Sequence, residues 1–167
     1  LSTGNLENVN PHARMYNVSV TNPQTLETVF ACERPQIVNH HAAQTSLRIS
    51  MANPSSDAKI NVIGSMNLLN LSVKYQATRF IFASSCAVYT EPYGGSMNEA
   101  HPTDPQSAYG ISKRAAEDYV RLYDKVHGLR SKIFRYGNVF GPRQNSDGEA
   151  GVVPIFMEQL LSSIQPT

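Results

Sequence analysis

Tryptophan is missing from the 167 residues, cysteine occurs twice, and neither sign of charge dominates: 14 Lys and Arg stand against 13 Asp and Glu, a formal net charge of +1. Each shortage excludes something. Cys32 and Cys86 lie far apart in different settings, which reads as two free thiols in a reducing cytoplasm rather than a disulfide framework. Lys and Arg are scattered, so neither a nucleic acid nor a membrane surface is expected as a partner held by charge. No apolar run approaches the length of a bilayer span. Leu1-Ser2-Thr3-Gly4-Asn5 has neither the basic start nor the apolar stretch of a secretion signal. His40 and His41 are neighbours; on a strand they point to opposite faces and cannot share a metal ion, so no metal site is expected.

What is present alternates between strand-like and helix-like stretches. Met15–Val20 reads as a short strand. Asn22 and Pro23 have the chemistry of an N-cap and a first helical residue, opening a helix to about Glu33 that buries Leu26, Val29 and Phe30. Gln36–Ala43 is a second strand, and 44–53 reads as a loop. A long helix is expected over Pro54–Tyr75. Ile60, Ile63, Gly64, Asn67, Leu68 and Leu71 share one of its faces; Val62, Met66, Leu69 and Val73 share another. Arg79–Ser84 carries the continuous apolar run Phe80-Ile81-Phe82-Ala83 of a buried parallel strand. After a Pro- and Gly-rich loop, Ser107 caps a helix over Ala108–His127, and Gly128 stops it. Lys132–Tyr136 is a fourth strand, Gly137–Arg143 a turn-rich exit, and Glu149–Ser163 a last helix. Strands alternating with helices predict an α/β domain with a doubly wound parallel sheet. Ligands bind such sheets at the carboxyl ends of the strands. Here those ends are His41-Ala42-Ala43-Gln44, Ser84-Ser85-Cys86 and Tyr136-Gly137-Asn138.

Beside them the helix over Ala108–His127 begins with Tyr109-Gly110-Ile111-Ser112-Lys113. A spacing of four puts Tyr109 and Lys113 on one helical face. An ammonium beside a phenol favours phenolate, which makes Tyr109 a candidate general base.

The motifs, taken together, are His40-His41-Ala42-Ala43, Asn61-Val62-Ile63-Gly64, Ser84-Ser85-Cys86-Ala87-Val88-Tyr89, His101-Pro102, Tyr109-x-x-x-Lys113, and Arg135-Tyr136-Gly137-Asn138-Val139-Phe140-Gly141-Pro142-Arg143. Their order and spacing resemble the extended short-chain dehydrogenase/reductase superfamily (NAD-dependent epimerase/dehydratase), and within it the UDP-glucose 4-epimerase group. The resemblance covers essentially the whole chain. It implies a partial Rossmann-like NAD(P)-binding domain over 1–167, with 149–167 leading toward a substrate domain. It also implies that the strands flanking a Gly-x-x-Gly-x-x-Gly turn, and that substrate domain, belong to a longer protein of which this is the middle. With Met15–Val20 lacking its neighbour and Gln36–Ala43 presenting an open edge, the chain alone is expected to be poorly soluble or partly unfolded.

The resemblance implies NAD as cofactor and a UDP-sugar as substrate. Catalytic roles fall to Tyr109 as acid/base, Lys113 as its partner, and Ser85 as hydrogen-bond partner of the reacting hydroxyl. Cofactor contacts fall to Ser19, Val20, His41, Ala42, Ala43, Gln44, Asn61, Ala83, Ser84, Tyr109, Lys113, Tyr136 and Gly137. Substrate contacts fall to Ser85, Cys86, Ala87, Tyr109, Asn138, Arg143, Val152 and Val153. A homodimer through the 54–75 and 108–127 helices is implied as well. The implied reaction is oxidation and re-reduction of a UDP-hexose at C4 through a 4-keto sugar. Related dehydratases and decarboxylases usually carry a carboxylate after the Ser85 position; Cys86 and Ala87 offer none, which favours epimerisation. A dehydratase or an epimerase/reductase of the same superfamily is the alternative, and a non-catalytic dinucleotide sensor or scaffold is another. Several residues depart from the pattern. Ser19 stands where an Asp usually meets adenine, His41 replaces an apolar residue, Thr90 a Gly, and Gly137 an Ala or aromatic.

Overall fold

The computed structural model describes residues 4–90, 97–144, 152–163 and 165. The chain divides into two compact units, Val18–Tyr136 and a second made of Leu1–Asn17 with Gly137–Thr167.

The first unit is an α/β layer. Three strands, β1 (Ile37–His40), β2 (Arg79–Ser85) and β3 (Arg130–Tyr136), form a parallel sheet in the order β1-β2-β3. Successive side chains alternate between its faces. Val38, His40, Phe80, Phe82 and Ser84 point to the covered face, where a core forms with Leu26 and Phe30 of helix α1 (Pro23–Glu33), Leu68, Leu69 and Leu71 of α4 (Gly64–Lys74), and Ala116 and Val120 of α5 (Ala108–His127). On the other face Ile37, Phe134 and Tyr136 remain exposed.

Caps set the helix limits. Asn22 accepts a hydrogen bond from the Thr25 N–H at 3.2 Å, and Pro23 fills the first position of α1, where an N–H has no helical partner. Ser107 accepts from the Gly110 N–H at 3.0 Å to open α5. Gly128 closes it with φ of 68°, and Lys125 and His127 occupy the negative end of the helix dipole.

Four expectations change. Met15–Val20 is not a strand: no described strand pairs with it, and the Val20 carbonyl accepts instead from Asn67 Nδ2 of α4 at 2.9 Å. The stretch expected as a loop over 44–53 contains α2 (Leu47–Ala52), capped by Ser46, whose Oγ accepts from the Ile49 N–H at 3.1 Å. The long helix is a run of α3 (Pro54–Ala58), a π-helical turn (Lys59–Ile63) and α4. The wide turn shifts the phase of the faces. Ile63, expected on an apolar face with Leu68 and Leu71, is 47% exposed where those two are buried, while the polar Ser65 and Ser72 are buried and donate back to the Asn61 and Leu68 carbonyls. Finally, β1 is shorter than Gln36–Ala43, whereas β2 extends one residue further than expected and β3 starts two residues earlier.

In the second unit, α6 (Val152–Leu161) occupies part of the helix expected over 149–163; 149–151 lie outside the described residues, as do 91–96 of the Pro- and Gly-rich loop.

Candidate active site

β2 ends at Ser85, whose Oγ accepts from the Ala87 N–H at 3.2 Å and so starts a 3-10 turn over Cys86–Val88. The first turn of α5 lies against that turn at Gly110: a Cβ there would stand 2.3 Å from the Ala87 carbonyl oxygen. This contact brings the half-buried Tyr109 phenol beside the Ser85 hydroxyl, near enough for the hydroxyl to favour phenolate. One turn further along α5, the buried Lys113 reaches over the Phe82 ring and donates from Nζ to the Ala83 carbonyl at 2.9 Å. Its Nζ is 5.9 Å from the centre of the Tyr109 ring.

The electrostatics differ from the sequence expectation. Burial raises the Tyr109 pKa above the ordinary phenol value; the Ser85 hydroxyl opposes this, and the fields of Cys86 and Asp57 add to it. Burial, the largest effect on the phenol, runs against the lowering expected from Lys113, whose ammonium is turned to the strand carbonyl. Burial lowers Lys113 to about 8, with Asp57 pulling the other way.

A second cluster lies behind this site. Asn61, buried on the π turn, donates from Nδ2 to the Gln44 carbonyl (2.9 Å), Asp57 Oδ1 (3.1 Å) and Ser112 Oγ (3.1 Å), and accepts from the Gln44 N–H (2.9 Å). Ser112 in turn donates to the Tyr109 carbonyl at 2.9 Å. The Gln44 side chain is spent on Ser46 and Asp57. Asn61 thus ties the exit of β1 to the first turn of α5. Replacing it with Ala strips partners from buried groups, each worth about 1–3 kcal/mol. Asn61→Ala is therefore expected to destabilise the fold by about 2–4 kcal/mol in denaturant titrations.

The remaining expected site residues are distributed as follows. His41 is exposed with its ring 6.0 Å from that of Tyr136; Ala42 is exposed and Ala43 half-buried. Ser19 pairs with Thr21 Oγ1 at 2.9 Å, and Val20 packs on Gly64. Ser84 is buried, and its hydroxyl donates to Glu117 at 2.6 Å. Cys86 and Tyr136 line a cavity of about 470 Å³ at the carboxyl ends of β2 and β3, together with Tyr89, Arg121, Phe134 and Arg135. Gly137, Asn138, Arg143, Val152 and Val153 belong to the second unit, in which Asn138, Arg143, Val152 and Val153 are exposed. Sequence reading missed Asp57, Ser112 and Glu117. Their spacing carried a signal, since Asp57 lies four residues before Asn61 and Glu117 four after Lys113, each one turn along a shared helix face.

A parallel α/β sheet with a Ser, a Tyr and a Lys gathered at its strand ends defines a Rossmann-like dehydrogenase/reductase type of domain. The chain belongs to the NAD dependent epimerase/dehydratase family, whose model matches residues 1–166. A putative UDP-glucose 4-epimerase of Methanocaldococcus jannaschii is 41% identical over 167 residues, covering 99% of this chain and 54% of that protein. The structure of the Thermus thermophilus UDP-glucose 4-epimerase in complex with NAD superposes with a TM-score of 0.92 at 38% identity, covering 98% of this chain and 53% of that one. The Thermotoga maritima UDP-glucose 4-epimerase with UDP-glucose gives 0.90 at 41% identity, covering 98% and 54%. The chain spans about half the length of these relatives. Among the described residues no helix is long and apolar enough to cross a membrane, and no group of three or more His, Cys, Asp or Glu could hold a metal ion.

Proposed function

We propose that the chain supplies the catalytic part of an NAD-dependent epimerase acting at C4 of a UDP-hexose, of the UDP-glucose/UDP-galactose type. The observation that carries this is the meeting of Ser85, Tyr109 and Lys113 where β2 ends, with Cys86 and Ala87 rather than a carboxylate next in the chain. The residues suit the cofactor. An ammonium has three protons, and among the described residues Lys113 spends one, on Ala83, leaving donors for ribose hydroxyls. The small side chains of Ala42 and Ala43 at the exit of β1 leave room for a ligand beside the backbone. NAD, when bound, supplies a reversible hydride acceptor.

The chain's own groups move the proton. Ser85 Oγ and Tyr109 Oη hydrogen-bond the C4 hydroxyl together, and Tyr109, in its phenolate form, takes the hydroxyl proton as the carbon is oxidised. After the 4-keto sugar turns over, Tyr109 returns that proton to the newly formed hydroxyl oxygen. Lys113, with a pKa of about 8, is the cation on the same helix face. The dimer expected through the two long helices is part of this proposal; it is supported by Ile63, Ile111, Leu122 and Val126, exposed apolar residues on those elements.

The test is interconversion of UDP-glucose and UDP-galactose by the intact gene product, with Tyr109→Phe beside it. A loss of about 100- to 10,000-fold in kcat with KM little changed is expected. Absence of turnover in the parent protein, or full activity in Tyr109→Phe, overturns the reading.

A further inference from the structure

Glu117 takes no part in the proposed chemistry, yet among the described residues it is the largest charged side chain with no exposure at all. Its carboxylate is fully buried and saturated with donors. Oε1 accepts from Ser84 Oγ at 2.6 Å and Arg135 Nε at 2.8 Å; Oε2 accepts from Arg135 and Arg121 terminal nitrogens, each at 2.7 Å. Arg135 also lies 4.6 Å over the Tyr89 ring. Burial pushes the Glu117 carboxyl up, but the bonds from Arg135, Ser84 and Arg121 outweigh it and hold it below its ordinary value.

The places these bonds tie are informative. Tyr109, Lys113 and Glu117 are spaced by four on α5, and they meet three consecutive residues of β2: Tyr109 meets Ser85, Lys113 meets Ala83, and Glu117 meets Ser84. The Ser85–Tyr109 contact is the outermost of the three and lies at the end of the strand. Arg135 adds the end of β3 to the same carboxylate, and through Tyr89 it braces the chain leaving the Cys86–Val88 turn. A buried ion pair of this kind is a poor source of net stability, because apolar side chains of similar volume often serve as well. What apolar side chains cannot supply is direction: a carboxylate held by a two-pronged guanidinium fixes its own position and that of the Ser84 hydroxyl.

We infer that Glu117, held by Arg135, is a positioning residue that sets the register of α5 on the end of β2 and so keeps the Ser85 hydroxyl on the Tyr109 phenol. Glu117 bonds to Ser84, Arg121 and Arg135 and not to Tyr109, so its influence runs through geometry. A Gln at 117 cannot replace it: whichever way the amide is turned, its NH2 faces the nitrogens of Arg135. The inference rests on the proposed role of Ser85 and Tyr109, but its test does not depend on turnover.

The test reads the coupling between Ser85 and Tyr109 in the intact gene product. With fluorotyrosine incorporated, the Tyr109 signal is assigned by its loss in Tyr109→Phe, and its titration is followed by fluorine NMR. In the parent protein, Ser85→Ala should raise the Tyr109 midpoint, because the hydroxyl that opposes the effect of burial is gone. In a Glu117→Met/Arg135→Met background, the same Ser85→Ala change should move it by less than half as much. The melting temperature of that background should stay near the parent's. Arg135→Lys, which keeps the charge and loses the two-pronged bond, is the second variant and should also weaken the coupling. A full Ser85→Ala shift in either folded background overturns the inference and leaves the network a purely structural ion pair. An inactive parent protein with intact coupling refutes the proposed reaction while the positioning role stands.

Discussion

Gly110→Ala is expected to lower stability by about 1–2 kcal/mol and, in the proposed reaction, to cut turnover by roughly 100-fold. Two opposed effects meet at this residue. Ala is the better helix former by about 1 kcal/mol, so in an exposed turn the change would stabilise α5. Here, however, the added Cβ would lie 2.3 Å from the Ala87 carbonyl oxygen and 2.9 Å from Pro105 Cβ. The first neighbour is backbone and cannot turn aside, so helix and strand exit must separate by about 1 Å to restore ordinary contact. Overpacking of that size costs about 1–3 kcal/mol, more than the propensity gain returns. The separation also acts on the wrong place for function, since Gly110 follows Tyr109 and Ala87 is two residues from Ser85. Denaturant midpoints and steady-state rates on the same preparation check it. Gly64 provides the contrast, since its nearest neighbour is Val20 Cγ2, a side-chain atom, at 2.7 Å.

Acid should destabilise the fold from about pH 6.5 downward, with His40 as the cause. His40 is buried between neighbours Phe80 and Phe82, and Nε2 lies 2.9 Å from Ser65 Oγ. Ser65 spends its own proton on the Asn61 carbonyl, at 2.6 Å, so Nε2–H donates and Nδ1 stays bare. Among the described residues Nδ1 has no partner. Burial lowers the pKa from 6.5 to about 3, and the charges of Lys113 and His41 add to the shift. The folded value lies below the unfolded one, so the unfolded chain binds more protons between them. The contribution is fully present above pH 6.5, declines by at most about 1.4 kcal/mol per pH unit, and is lost near pH 3, on the order of 4 kcal/mol in all. Glu27, Glu117 and Asp124, whose pKa values are lowered, lose their contributions only below the ordinary carboxylate range. The interval from pH 6.5 to about 4.5 therefore isolates His40 from them. Unfolding free energies across that interval should slope in the parent protein and flatten in His40→Gln; an equal slope in both would exclude His40.

Features set by neighbours in sequence were readable from it. Ser107 and Gly128 bound α5 because capping and the left-handed conformation are local properties, and Phe80-Ile81-Phe82-Ala83 announces a buried strand by composition alone. The Tyr109–Lys113 spacing needed only the helical period. Features set by distant partners were not readable. Met15–Val20 has strand-like alternation, but a strand exists only where another pairs with it. α2 has caps without an apolar stripe, so periodicity passes over it. The π turn at Lys59–Ile63 breaks the period on which reading of the long helix relied. The direction of the Tyr109 shift is set by burial of the phenol, which depends on what distant parts of the chain pack over it and not on its spacing to Lys113.

The ties between α5 and the rest of the unit have a consequence for how the protein comes into being. The bonds that define the site join residues 30, 33 and 51 apart in sequence: Lys113 to Ala83, Ser84 to Glu117, and Asn61 to Ser112. Contacts of that range form only after the chain between them has been gathered in, at an entropic cost that no local turn offsets. During synthesis, a nascent chain that has emerged only through β2 carries Ser85 with nothing opposite it. The phenol, the ammonium and the carboxylate all arrive on one helix, so the site is completed in a single docking event rather than residue by residue.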